Sequence, residues 1–251
     1  MEIMLKLAKF MKYGLIADIH SNLEALKTVI RELKVEKIIC LGDLVGYGPD
    51  PNECINRVKA LNGPVIAGNH DKAATGEMEI TWFNRDAQDA ILWTKDMLTE
   101  ENLEYLKKLS PAADFEDFSI VHGSLREPLE EYITSLYEAL PTFERMVKPL
   151  LFIGHSHVPL CIVQKKEGDF DGWMLEDNQK ISVSEYQKVI INPGGVGQPR
   201  DGDPRASYGI YDLETRIFQL HRIPYDFKTT QEKMRKVNLP PFLIERLAYG
   251  R

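Results

Sequence analysis

Two short apolar runs, residues 12–17 and KIICL at 37–41, flank a stretch in which Leu23, Leu26, Val29, Ile30 and Leu33 recur on one face of a helix. Strand, helix and strand in so short a span leave a parallel pair joined by a crossover helix, so the chain begins as an α/β protein. Ser21 with Glu24 three residues on matches a capping box and starts the helix directly after Asp18-Ile19-His20. Asp18 and His20 therefore fall where a strand's C-terminal end turns into a helix, the edge on which open α/β sheets build their sites. The unit then repeats. Residues 37–41 lead to Asp50 and Pro51, which open a helix with Ile55, Val58 and Leu61 on one side, and Pro64 to Ala67 read as another strand, ending in GNHD.

Beyond this point the pattern from Asn84 to Leu109 is helical, with Thr99 as an internal N-cap, and residues 72–112 are expected to form a helical cap inserted near the strand ends. Its Trp82, Phe83 and Trp93 read as core or lid packing, with ligand stacking as the alternative. Phe118–Val121 is a strand ending at His122-Gly123, a helix is expected over roughly 136–148, and Leu150–Ile153 ends in GHSH. After Pro159 come closely spaced strand signals at 160–164, 172–176, 180–184, 188–192, 206–213 and 216–222, antiparallel in character. A helix pair at 228–237 and 241–249, broken at Pro240-Pro241, closes the chain.

The 251 residues are read as one domain, long enough to bury a core without staples. Met11 begins MKYGLIADIH, which would serve as a start in its own right, so residues 1–10 read as either an extension or a start-site artefact; they lack a signal-peptide cleavage site. No window approaches the roughly 18 unbroken apolar residues of a membrane span. Cys40, Cys54 and Cys161 form neither a CxxC nor a zinc pattern, which favours a reducing compartment and a cytoplasmic protein. With a net charge of −7, an extended basic footprint for duplex nucleic acid is not expected. The expected partners are small ligands and no membrane, with a homo-oligomer left open.

The polar residues at strand ends are Asp18 and His20, Gly42-Asp43, Gly68-Asn69-His70-Asp71, His122, and His155 with His157. Five of the 6 histidines sit there, which scattered core histidines would have no reason to do. Imidazole, carboxylate and one amide oxygen, without thiolate, suit divalent transition metals: Zn, Mn, Fe, Co or Ni. Asp18, His20, Asp43, Asn69, His122, His155 and His157 exceed what one ion takes; two ions roughly 3.5–4 Å apart, bridged by a carboxylate, would use them all. On an extended segment His155 and His157 would share one face, each serving a different metal.

DxH, the Gly-rich GDLVGYG at Gly42–Gly48, GNHD, HG and GHSH occur in the order of the calcineurin-like metallophosphoesterases, and the match runs from Met11 to about Asp212. The chain resembles the small bacterial and archaeal phosphodiesterase-like branch of that superfamily. The resemblance implies a four-layer α/β/β/α sandwich with a dinuclear site and attack by a hydroxide bridging the metals. It assigns Asp18, His20 and His157 to the first metal, Asn69, His122 and His155 to the second, and Asp43 to the bridge. His70 would stabilise the transition state or protonate the leaving oxygen, with Asp71 orienting it.

Many protein phosphatases of the superfamily carry GDxxxRG, whose arginine grips phosphate; GDLVGYG has none. The segment Asn192–Arg200 resembles the NPGS-type block, with Gly195 where Ser is usual, and Arg200 is either a phosphate ligand or a solvated loop residue. Asn22 either touches substrate or faces solvent, and Tyr47 either lines the pocket or packs. His221 reads as structural, and Lys165–Glu167 and Lys233–Lys236 as solvated faces. The expected function is metal-dependent hydrolysis of phosphate esters, by a phosphodiesterase or phosphatase acting on small or nucleotide substrates. A protein phosphatase, a nuclease and a non-catalytic scaffold of the same fold are the alternatives.

Overall fold

The computed structural model describes residues 11–251, so the extension or artefact at 1–10 lies outside the described residues. In chain order the elements are β1 (Lys12–Ile16), α1 (Leu23–Glu32), β2 (Lys37–Cys40), α2 (Pro51–Ala60), α3 (Asn69–Thr75), α4 (Arg85–Met97), α5 (Glu100–Lys107), β3 (Ala112–Asp114), β4 (Ser119–Val121), α6 (Leu136–Arg145) and β5 (Leu150–Phe152). The second half holds β6 (Leu160–Gln164), β7 (Phe170–Met174), β8 (Lys180–Ser182), β9 (Lys188–Asn192), β10 (Ala206–Asp212), β11 (Ile217–Ile223), α7 (Phe227–Lys236) and α8 (Pro241–Glu245), followed by a short 3-10 turn at Arg246–Ala248. Two sheets result, ordered β2-β1-β10-β11-β8 and β3-β4-β5-β9-β6-β7.

Side chains alternate across each strand, and the two faces of each sheet are both apolar. Leu15 and Ile39 from the first sheet meet Ile120, Leu150, Phe152, Val163, Val189 and Ile191 from the second in one buried cluster, which glues sheet to sheet. The intervening residues Ile16 and Cys40 face outward onto Leu26, Val29, Cys54, Ile55 and Val58 of α1 and α2. On the other side Val121, Leu151, Ile162 and Ile190 pack on Ala139 and Phe143 of α6. Helix, sheet, sheet, helix is thus the layering that strand periodicity produces when the central strands are apolar on both faces.

Several boundaries differ from the sequence reading. Pro64–Ala67 is not a strand; it makes only a parallel bridge, Cys40 to Val65. The cap of α1 is Asn22 rather than Ser21: Asn22 Oδ1 accepts from Ala25 N at 3.2 Å, while Ser21 is turned into the left-handed region at φ 54°. GNHD opens α3, a helix without apolar periodicity, whose N-cap is Gly68. The segment 72–112 holds most of α3, a 3-10 turn at Ile80–Trp82, α4 and α5, and its last residue is the first of β3 in the second sheet. No described helix is long and apolar enough to cross a membrane.

Candidate metal centre

Loops leaving the C-terminal ends of strands in both sheets converge on one spot. After β1 and β2 the chain segments keep running side by side, with Asp18 N donating to Gly42 O (3.1 Å) and His20 N to Asp43 O (3.0 Å). The loop after β9 folds over them, Gly197 N donating to Asp18 O at 2.9 Å. From the second sheet, His155 N donates to Asp18 Oδ1 at 3.0 Å, so the GHSH loop is fastened to the DxH loop across the two sheets. His122 follows β4 directly and is fully buried. Gly42 has φ 96°, and a Cβ there would stand 2.7 Å from His122 Nδ1, so the close approach of these loops requires glycine.

These loops bring the seven expected donors together, all of them buried. Asp18, His20, Asp43 and His157 each offer a ligand atom within 4.8 Å of the others, and Asp43, His122 and His155 form a second such group. Asn69 Oδ1 lies 3.3 Å from His122 Nε2, which puts the amide at the second group. Asp43 belongs to both, its Oδ2 lying 3.5 Å from His20 Nε2 and 3.4 Å from His122 Nε2.

The imidazoles are oriented by backbone carbonyls, which can only accept. His20 Nδ1–H donates to Val45 O (3.1 Å), His122 Nδ1–H to Leu41 O (2.8 Å) and His157 Nδ1–H to Gln198 O (2.6 Å), so each turns Nε2 inward. His155 is reversed: its Nε2 faces Glu130 O at 3.4 Å, and Nδ1 is left for the centre. His20 Nε2 and His157 Nε2 consequently meet at 3.0 Å with neither carrying a proton in that tautomer. Two lone pairs at that distance need a cation between them. The carboxylate oxygens Asp18 Oδ2 and Asp43 Oδ2 are buried without a hydrogen-bond donor, which is costly in a low-dielectric site unless positive charge compensates. On these observations the residues fit a pair of divalent ions.

Charge states follow the same logic. Burial holds the imidazoles of His20 and His157 well below their usual range and lowers His155 to about 3, so all three stay neutral. Burial also lowers His70, to about 4. At His122 burial is outweighed by the Asp43 charge, and the imidazole is raised to about 9. Burial raises Asp18 to about 7, whereas at Asp43 the same effect is overcome by His122, then His70, and the carboxyl is held below its usual range.

The remaining expectations fare unevenly. GHSH is not extended: His155 and His157 sit at φ 67° and 59°, so it is a pair of left-handed turns, not strand alternation, that sends them to different donor groups. Asp71 does not orient His70. Its Oδ1 accepts from Val45 N (3.1 Å) and its Oδ2 from Gly68 N (2.9 Å), so it clasps the GDLVGYG loop to the start of α3. His70 lies instead among the rings of Tyr47, His20 and Phe83, with centroids 4.3, 4.8 and 4.9 Å away. Asn22 is neither solvent-facing nor open to a ligand. It is buried, and its Nδ2 donates to Gly197 O and Tyr225 OH while its Oδ1 accepts from Ala25 N and Thr230 Oγ1.

Arg200 is half-buried on the cleft wall and not a free loop residue; its guanidinium donates to Tyr47 OH (3.3 Å) and Gln198 Oε1 (3.1 Å), and Nε is buried without a partner. A cleft of about 420 Å³ opens beside the donors, lined by Asn69, His155 and Arg200 and walled by Tyr47, Met78, Trp82, Phe83, Tyr132, Phe242 and Arg246. Trp82 is exposed on this wall, while Trp93 packs against buried residues as expected of a core residue. Arg246 was not singled out from sequence, since it lies outside every motif block in what reads as a plain closing helix. His221 stacks on Tyr208, away from the donors.

Comparison with known proteins agrees with this geometry. A model of the calcineurin-like phosphoesterase superfamily domain matches residues 11–216. A protein of Methanocaldococcus jannaschii, described as uncharacterised, is 39% identical over 251 residues, covering 95% of this chain and 98% of that one. The crystal structure of a metallophosphoesterase from Sphaerobacter thermophilus superposes with a TM-score of 0.88 at 40% identity, covering 96% of this chain and 100% of the other. A hypothetical protein from Pyrococcus horikoshii OT3 shares the fold, with a TM-score of 0.78, 20% identity and coverage of 96% and 98%. Motif order, sheet topology and a relative similar over nearly its whole length converge, and the chain belongs to the calcineurin-like phosphoesterase superfamily as a phosphoester hydrolase.

Proposed function

We propose that the chain is a dinuclear phosphodiesterase or phosphatase acting on small or nucleotide phosphate esters. The observation that carries the reading is Asp43, whose unpartnered Oδ2 stands between His20 Nε2 and His122 Nε2 and belongs to both donor groups. Asp18, His20 and His157 would hold one cation with Asp43, and Asn69, His122 and His155 the other. When bound, two divalent ions of the Mn, Fe, Zn, Ni or Co type supply Lewis acidity and bring the pKa of a coordinated water down toward about 7.

The chain's own groups bind and orient around that chemistry. Arg200, beside Tyr47, supplies a guanidinium for the phosphate that GDLVGYG leaves without an arginine. His70, at the start of α3 next to Asn69, supplies a ring N–H to the leaving oxygen. Asp71 acts at one remove, holding the Val45 and Gly68 amides so that Asp43 Oδ1 receives the His70 backbone N–H at 2.9 Å. The cleft's volume of about 420 Å³ and its aromatic wall support a small or nucleotide substrate over a folded phosphoprotein.

Metal analysis coupled to a panel of mono- and diesters tests this reading. Two ions per chain and turnover that chelation abolishes are expected; inactivity on the whole panel with sub-stoichiometric metal would favour the scaffold. In the same assay His70→Ala should retain both ions while losing roughly 10²–10⁴ of kcat. Loss of an ion in that variant would mean that His70 is a ligand.

A further inference from the structure

Arg246 brings a second guanidinium to the cleft that already holds Arg200. Among the described residues neither arginine forms an ion pair with an Asp or Glu side chain, and Glu130, the acidic residue on the same wall, bridges to neither. Each instead lies on an aromatic ring of the wall: the Arg200 Cζ is 5.7 Å from the centroid of Tyr47, and the Arg246 Cζ 5.3 Å from that of Phe242. Arg246 Nε also donates to a main-chain oxygen of Arg251, the last residue of the sequence, whose carboxylate offsets part of the charge; the contact fixes the side chain and leaves its terminal nitrogens for the cleft. Burial, and then the charge of Arg200, hold Arg246 down to about 10, so the two cations feel each other. Half-buried like charges facing one concavity, one of them with an unpartnered buried Nε, are compensated most simply by an anion between them.

Two exposed aromatics complete this wall. Trp82 is 78% exposed and Phe242 58% exposed, although both line a cleft rather than an open surface. They come from the cap and from the C-terminal α8, the same two segments that frame Arg246. Large apolar rings left in water beside a pair of cations suit a ligand that is planar and aromatic at one end and anionic at the other.

We propose that Arg246, with Arg200, forms a subsite for a second phosphate group, and that Trp82 and Phe242 hold the base beyond it, so that the cleft selects nucleotides with at least two phosphates. The proposal rests on the reading of the metal centre as a phosphoesterase site, and it deepens that reading by naming the substrate class. A nucleotide seated this way would present one phosphorus to the loaded metal centre, within reach of Arg200, and leave the next between Arg200 and Arg246.

The test separates the subsite from the chemistry. Binding of ADP, AMP and adenosine to the full chain is measured by calorimetry and tryptophan fluorescence in the presence of a chelator, where no turnover is possible. AMP, whose single phosphate adjoins the nucleoside, is expected to bind at least tenfold tighter than adenosine and to quench fluorescence, with the quench absent in Trp82→Phe and the preference for the phosphate lost in Arg246→Met. With metal restored, Arg246→Met should raise KM for ADP tenfold or more with a smaller change in kcat, lowering the kcat/KM ratio of ADP to methyl phosphate. Equal binding of AMP and adenosine, or an unaltered ratio in Arg246→Met, would overturn the subsite. Tight ADP binding without hydrolysis of any ester would instead leave the subsite standing and overturn the phosphoesterase reading. A circular dichroism spectrum of Arg246→Met matching that of the parent excludes misfolding as the cause, and Arg246→Lys should recover part of the preference for AMP over adenosine.

Discussion

Asp18, His20, Asp43, His155 and His157 each hold φ between 47° and 67°, a region that costs a residue with a Cβ roughly 1–2 kcal/mol. Such conformations persist where the surroundings over-determine them, and here they aim side chains rather than turn the chain. The cost is testable at His155, where the backbone conformation and the donor can be separated. With metal chelated, His155→Gly should be more stable than His155→Ala by about 0.5–1 kcal/mol in urea unfolding, because alanine keeps the left-handed strain and glycine loses it at some entropic expense. Equal stabilities would mean that the loop relaxes once the imidazole is gone. Asn22 gives the complementary case. All of its hydrogen-bonding capacity is spent on Gly197, Tyr225, Ala25 and Thr230, so Asn22→Ala should cost about 1–3 kcal/mol by leaving buried partners unsatisfied. A thermal melt unchanged in that variant would restore the ligand-contact reading. Donor residues were legible in the sequence because their chemistry is unusual at strand ends, whereas Asn22 and Asp71 were not, because an amide or carboxylate that fastens backbone looks the same as one that waits for a ligand.

At the scale of elements, apolar periodicity located what it could. Strands β1, β2, β5 and β9 and helices α1 and α2 carry the inter-sheet and outer cores, and their patterns are visible without coordinates. Helix α3 has no apolar stripe to find, since Asn69–Thr75 is held by its cap and by packing, and β3 is three residues added antiparallel to β4. Charge runs were the other blind spot. Lys233, read as part of a solvated face, places its Nζ 2.6 Å from Glu24 Oε1 and 2.9 Å from Asp50 Oδ2, joining α7 to the first turn of α1 and the N-cap of α2. Sequence distance hides such a contact. Because this cluster is partly open to solvent, Lys233→Met should cost only about 1 kcal/mol, and the deficit should shrink in high salt. A salt-independent loss would point to packing of the lysine stem instead.

Across the whole molecule, the donors divide between the sheets: Asp18, His20 and Asp43 follow β1 and β2 of one, while His122, His155 and His157 follow β4 and β5 of the other. Metal loading therefore ties the two sheets together at one end, and any ion held only by the folded chain stabilises it, by about 4 kcal/mol at a thousandfold excess over Kd. Chelation should lower Tm accordingly, and a Tm indifferent to chelator would mean that the loops are fixed without metal. Protons report the same coupling. Without metal, His122 is raised to about 9 and Asp18 to about 7, so both carry protons that a ligand must shed. The sign follows: on loading, these donors should release roughly two protons at pH 6, roughly one at pH 8 and nearly none above pH 10, while a coordinated water adds up to one more as pH rises through about 7. His20, His155 and His157, held low by burial, are already neutral at pH 6 and add nothing to the release. Calorimetry in buffers of differing ionisation heat counts these protons. A release near zero at pH 6, where the coordinated water still keeps its proton, would show that the donors enter the site already stripped, and that the buried charge of Asp18 is compensated before any metal arrives.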